Sequence, residues 1–119
     1  MGESRVAEPL TSQQALGLWH RAMLSSVRAD GPDLSARQMA IFLQVYLAPP
    51  PHTVRVLAET LQIAKPAVVR ALDTLGRLDF ARRRRDETDR RNVLIQRTVK
   101  GSVFLSEFAD WVVAASEAV

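Results

Sequence analysis

The chain of 119 residues has no cysteine, which removes disulfides, thiolate metal sites and cysteine nucleophiles at once. A reducing compartment fits that composition. Histidine is almost as scarce. His20 falls in a helical pattern and His52 beside a turn, and neither has the acid or histidine spacing of a metal motif. Ser12, Ser25, Ser26, Ser35, Ser102, Ser106 and Ser116 lack a nucleophile-elbow setting. Neither catalysis nor a cofactor is therefore expected. No run approaches the roughly 18 continuous apolar residues needed to cross a bilayer, and the first twenty residues lack the apolar block of a signal peptide. The expectation is a cytoplasmic protein with no membrane partner.

Aromatic residues are also few: four Phe, two Trp and one Tyr. The 47% apolar fraction still permits a real core, and Leu, Val and Ala must fill most of it. The length suits one compact domain, expected over residues 11–119 behind a flexible leader at 1–10. The net charge of +3 is modest but unevenly placed. Residues 77–100 hold nine of the sixteen Lys/Arg and four of the thirteen acids, a local +5 against −2 elsewhere. A nearly neutral body with one basic element points to a localised polyanion contact.

Thr11 with Gln14 and Ser35 with Gln38 have capping-box spacing, which predicts helices to about Arg28 and over 36–47. Leu16, Trp19, Met23 and Val27 recur at helical spacing in the first, and Asp30-Gly31-Pro32 stops it. Pro49-Pro50-Pro51 ends the second; it reads as a stiff connector, with a polyproline ligand as the alternative. Thr53 caps a short helix to Leu61. After a break at 62–64, Lys65-Pro66 opens another to Leu78, with proline in its favoured first turn and Val68, Leu72 and Leu75 on the buried side. The period then changes. Residues 80–85 and 92–97 read as two strands around a polar tip at 86–91; the second carries the stronger signal because an arginine run has little strand preference, and a solvent-exposed helix is the alternative for the first. Thr98 can cap a last helix to about 118, in which Phe104, Phe108 and Trp111 share a side.

Two helices, a helix-turn-helix, a hairpin and a final helix make a mainly α, winged helix-turn-helix fold. Its logic is that the helix at 53–61 buttresses the helix at 65–78, whose open face can enter a major groove while the hairpin reaches the neighbouring backbone or minor groove. Lys65 is a phosphate candidate. Pro66, Ala67, Val69 and Arg70 are base-edge candidates: Arg70 is suited to guanine O6 and N7, Ala67 and Val69 to thymine methyl groups. Arg70 serves equally well on a phosphate or an acidic side chain. Thr53 and Arg55 can position the preceding helix on phosphate. In the hairpin, alternation sends Arg82 and Arg84 to one face and Arg83 and Arg85 to the other, so the four arginines do not share one surface. Some must meet solvent or acids. Asp89, beside Arg90 and Arg91, can fix one guanidinium for insertion into a minor groove.

From Leu34 to Gly101 the chain resembles the DNA-binding part of the MarR family of bacterial transcription regulators. The residues that carry the likeness are Thr53 to Ala58, Leu61 to Leu75, the Arg82–Arg85 run, Asp86-Glu87-Thr88-Asp89-Arg90-Arg91, and the exit Thr98-Val99-Lys100-Gly101. The resemblance implies a homodimeric repressor or activator on pseudo-palindromic double-stranded DNA, with flanking dimerisation helices at about 11–29 and 98–118 and a DNA-binding lobe at about 34–100. It places Pro66, Ala67, Val69 and Arg70 on the groove-facing helix, and Asp89 and Arg91 at the wing. Val69 stands where a small hydroxyl residue is common, and Asp79 where a glycine usually follows the recognition helix. The Leu16/Trp19/Met23 and Phe104/Phe108/Trp111 surfaces can pair around a two-fold axis or fill a monomer core. Trp19, His20 and Trp111 can line a cleft for a small-molecule effector, with core packing and surface exposure as the alternatives. The second functional reading is a winged-helix interaction protein or nucleoid-associated protein with weakly selective DNA binding and an unknown protein partner.

Overall fold

The computed structural model describes residues 8–119, so most of the expected leader lies outside the described residues; residues 8–10 are exposed and lack regular structure. The order is α1 (Ser12–Arg28), α2 (Ala36–Leu47), α3 (Val54–Leu61), α4 (Lys65–Arg77), β1 (Ala81–Arg85), β2 (Val93–Arg97) and α5 (Val99–Glu117). This is the mainly α fold with a two-stranded wing that the sequence predicts. Both capping boxes form: Thr11 Oγ1 accepts from Gln14 N at 3.1 Å, and Ser35 Oγ from Gln38 N at 3.1 Å. Each satisfies an amide that the helix itself leaves unpaired.

The chain divides into two compact units. One comprises residues 32–106, and the other residues 8–31 and 107–119 among those described. In the first, Ile41, Phe42 and Val45 of α2 pack with Leu57 of α3, Val68, Leu72 and Leu75 of α4, and Ile95 of β2, all essentially buried. Four of the seven aromatics lie here. Phe42 stacks on Phe80 at 5.2 Å and on Phe104 at 5.9 Å, with Tyr46 edge-on at 5.1 Å. Phe104 thus belongs to this core and not to a free surface. In the other unit Trp19 meets Phe108 edge-on at 6.1 Å, and Phe108 meets Trp111 at 5.9 Å.

Both helices of the helix-turn-helix end on a residue in the left-handed region. Gln62 has φ 57° after α3 and Asp79 has φ 59° after α4. The turn that follows closes back on the helix, with Ile63 N donating to Ala58 O at 3.2 Å and Phe80 N to Leu75 O at 2.8 Å. Glycine is the usual residue for such a cap because it has no Cβ to collide with the backbone. Asp79 keeps the left-handed cap geometry without glycine, aspartate being among the residues that tolerate it best.

The joint beyond this turn is tightly specified. Tyr46 Oη accepts from Thr98 N at 2.8 Å and lies 2.9 Å from Phe80 O and 3.0 Å from Thr98 O, either of which takes its proton. Thr98 Oγ1 donates to Asp79 O at 2.6 Å and accepts from Gly101 N at 2.9 Å, capping α5. One tyrosine therefore fastens α2 to the end of α4 and the start of α5.

Candidate nucleic-acid interface

The strands pair antiparallel, with Ala81 opposite Arg97, Arg83 opposite Ile95 and Arg85 opposite Val93. Paired residues share a face. Arg83 therefore lies on the side of buried Ile95 and Ala81, while Arg82 and Arg84 take the opposite side. The arginine run is divided as alternation requires, and its guanidinium groups have separate partners. Arg82 lies 3.5 Å from Asp79, Arg84 3.9 Å from Glu87, and Arg83 2.9 Å from Asp73 of α4. Arg85 donates to the carbonyl of Arg90 at 2.6 Å, bracing the tip from below.

Two aspartates organise that tip. Asp86 Oδ1 accepts from the Thr88 hydroxyl at 2.7 Å and the Thr88 amide at 3.0 Å, and these bonds hold its carboxyl below the usual aspartate range. Asp89 Oδ1 accepts from both the backbone N of Arg91 at 3.1 Å and its Nε at 3.2 Å. The Arg91 side chain is nonetheless 91% exposed, so its remaining donors project outward from a fixed base. Arg90 is exposed and forms no ion pair among the described residues.

The hydrogen bond from Ile95 N to His52 O, 2.8 Å, ties the lead-in of α3 to β2. That tie sets Thr53 and α3 beside the wing. Thr53 Oγ1 caps α3 by accepting from Val56 N at 3.2 Å, and Arg55 pairs with Glu59 one turn on, at 3.5 Å. A groove of about 280 Å³ is lined by Thr53, Val54, Arg55, Lys65, Arg91, Asn92 and Val93. Four of the candidates named from sequence, drawn from three separate segments, therefore share one concavity. Pro66, Val69 and Arg70 lie exposed along α4, and Ala67 is half-buried. Arg70 and Ala67 also line a second cleft, of about 200 Å³, against Ser35, Arg37 and Gln38 at the start of α2.

Arg37 and Asn92 were not among the sequence candidates. Arg37 sits in the first turn after a recognisable cap, a position that opens on the same side as α4 only once α2 and α4 are packed. Asn92 closes the wing tip through its backbone, donating to Asp89 O at 2.9 Å and accepting from Asp86 N at 3.0 Å. Among the described residues no cluster of His, Asp or Glu could hold a metal ion, and no helix is long and apolar enough to cross a membrane.

An exposed, proline-initiated helix buttressed by a second helix and flanked by a cationic hairpin defines a winged helix-turn-helix DNA-binding protein. Residues 33–92, about half the chain, match the MarR family, and the chain belongs to that family of transcription regulators, which are not enzymes. Similar solved structures include a mutant of MepR from S. aureus bound to an oligodeoxyribonucleotide, at 20% identity over 89% of this chain and 75% of that one, with a TM-score of 0.77. The transcriptional regulator Tm0710 from Thermotoga maritima matches at 22% identity, covering 89% and 69% of the two chains, with a TM-score of 0.67. A mutant MarR from E. coli complexed with operator DNA matches at 21% identity over 84% and 66%, with a TM-score of 0.64. At these identities the likeness is one of fold. No curated protein matches the chain.

Proposed function

We propose that this protein is a sequence-selective regulator that binds double-stranded DNA as a homodimer on a pseudo-palindromic operator, in the cytoplasm and on the nucleoid. The observation that carries the reading is the convergence of Thr53, Arg55, Lys65 and Arg91 on one groove beside the open face of α4. Thr53, Lys65 and Arg91 serve phosphate and sugar, and Arg55 does so at the cost of loosening from Glu59. Arg70, the one strongly directional donor on that face, reads a base edge, with Pro66, Ala67 and Val69 supplying apolar contact. Arg82, Arg84 and Arg90 add charge along the wing, and Asp89 aims Arg91. Two solved structures of similar fold carry DNA, which supports DNA binding by this chain.

Support for the dimer comes from the unit formed by residues 8–31 and 107–119. There Leu16, Trp19, Val27 and Val113 are between 50 and 72% exposed. Apolar side chains left this open favour burial against a second copy. A two-fold assembly then presents two copies of α4 about 34–36 Å apart, one helical turn of DNA.

The test is a pair of substitutions on an enriched duplex. Arg70→Ala should relax discrimination at one defined base position by about 1–3 kcal/mol. Arg91→Ala should weaken all sequences alike and make the salt dependence shallower by about one unit. If Arg70→Ala leaves every base preference intact, the base-reading role of α4 fails.

A further inference from the structure

Arg83 differs from the other arginines of the wing. Lying on the inward side of β1, it reaches α4 with one nitrogen, Nη2, which donates to Asp73 Oδ1 at 2.9 Å and also approaches Val69 O at 3.4 Å. Val69 and Asp73 are one helical turn apart, so both contacts fall on the same flank of α4. Arg82, Arg84 and Arg91, by contrast, pair with acids three residues or fewer away in sequence, within the wing or at its entry. Arg83–Asp73 is the ion pair, among the described residues, that joins the wing to the helix it flanks.

The hairpin needs such a joint. It has only two strands, and beyond Ile95 its residues run outward into an exposed tip. Two-stranded ribbons twist and bend readily. A guanidinium nitrogen that donates to a carboxylate and lies near a main-chain carbonyl one turn away restrains the strand against that flank of α4. We propose that Arg83 and Asp73 are a positioning pair that sets the angle between the wing and the recognition helix, so that Arg91 and Arg70 meet DNA in register. The proposal rests on the reading that α4 and the wing bind DNA together. It gives Arg83 a role other than phosphate contact and gives an acidic residue on a DNA-facing helix a favourable one.

The sign of that role makes it testable. By charge alone, Asp73→Asn strengthens binding to a polyanion. As a positioning pair, Asp73→Asn and Arg83→Met each weaken binding to a duplex selected by the wild-type protein, by about two- to five-fold, the range expected of a half-exposed ion pair. The salt dependence stays unchanged, and the exchanged double variant Asp73→Arg, Arg83→Asp regains most of the loss. The second measurement needs no DNA: residual dipolar couplings of the free protein should show the hairpin amides reoriented relative to α4 in both single variants and restored in the exchanged one. Tighter binding by Asp73→Asn, or a salt dependence shallower by about one unit for Arg83→Met, overturns the proposal, the latter by assigning Arg83 to a phosphate. An unmoved hairpin overturns it whether or not the protein selects a duplex; failure of the wild type to select any duplex counts against the functional reading alone.

Discussion

Gly101 lies in the first turn of α5, where replacement by alanine ordinarily stabilises a helix by about 1 kcal/mol. Here the opposite is expected. A Cβ built at Gly101 collides with the Tyr46 hydroxyl and the Phe80 carbonyl oxygen, and reaches Tyr46 Cζ at 3.0 Å. The Phe80 carbonyl belongs to the turn that closes α4, so that turn must give as well as the tyrosine ring. Moving it gives up the bond from Thr98 N and the bond to a carbonyl, about 1 kcal/mol each. Forcing a methyl group into a filled site adds about 1–3 kcal/mol. Set against the helix preference of alanine, the net loss for Gly101→Ala is about 2–4 kcal/mol, a fall in Tm of roughly 10 °C for a protein of this size. Gly76→Ala in α4 is the control, since nothing lies within 4 Å of its Cβ position, and it should gain about 0.5–1 kcal/mol. Thermal and urea unfolding of the two variants decide the matter. Equal stability of Gly101→Ala and wild type would refute the account of this joint.

Gln62→Gly should stabilise the protein by about 1 kcal/mol in urea unfolding, because glycine adopts the left-handed cap after α3 without a Cβ penalty; a loss would mean that the Gln62 side chain contributes more than its backbone costs. Asp86, whose folded carboxyl is held low by Thr88, should stabilise the wing tip at neutral pH. That contribution is complete above the aspartate's unfolded value and is lost as pH falls through the lower folded one. Titration followed at the Thr88 amide should show this midpoint, and Asp86→Asn should abolish it. Leu16→Glu and Val27→Glu, at exposed positions, should leave the fold intact and shift sedimentation from dimer to monomer; an unchanged dimer would place the two-fold contact elsewhere.

Much of this architecture was legible in the sequence because its signals are local. Capping boxes at Thr11 and Ser35, Pro66 in a first turn, and the change of period at Phe80 each depend on a few neighbouring residues, and each marks its element to within a residue or two. Even the division of the arginine run followed from strand alternation. What the sequence left open depends on long-range packing. Phe104, Phe108 and Trp111 share a helical side, but Phe104 is taken up by Phe42 and Phe80, which no spacing within α5 reveals. The same is true of Arg83: alternation turned it away from Arg82, and only the packing of β1 on α4 brings it to Asp73. Arg37 was missed for that reason too, whereas the bonds of Asn92 to Asp86 and Asp89 are local to the wing tip. The Asp89–Arg91 pairing was readable because it spans two residues.

The central claim is that the open face of α4 reads DNA sequence while the groove beside it holds the backbone. Selection of duplexes from a genomic library by the purified protein, followed by salt titration on the enriched and scrambled forms, tests it most directly. The account predicts a reproducible inverted repeat with half-sites about one helical turn apart, bound more tightly than its scrambled counterpart at every salt concentration. Indistinguishable affinities for the two duplexes would contradict it and leave a wing that attracts DNA without reading it.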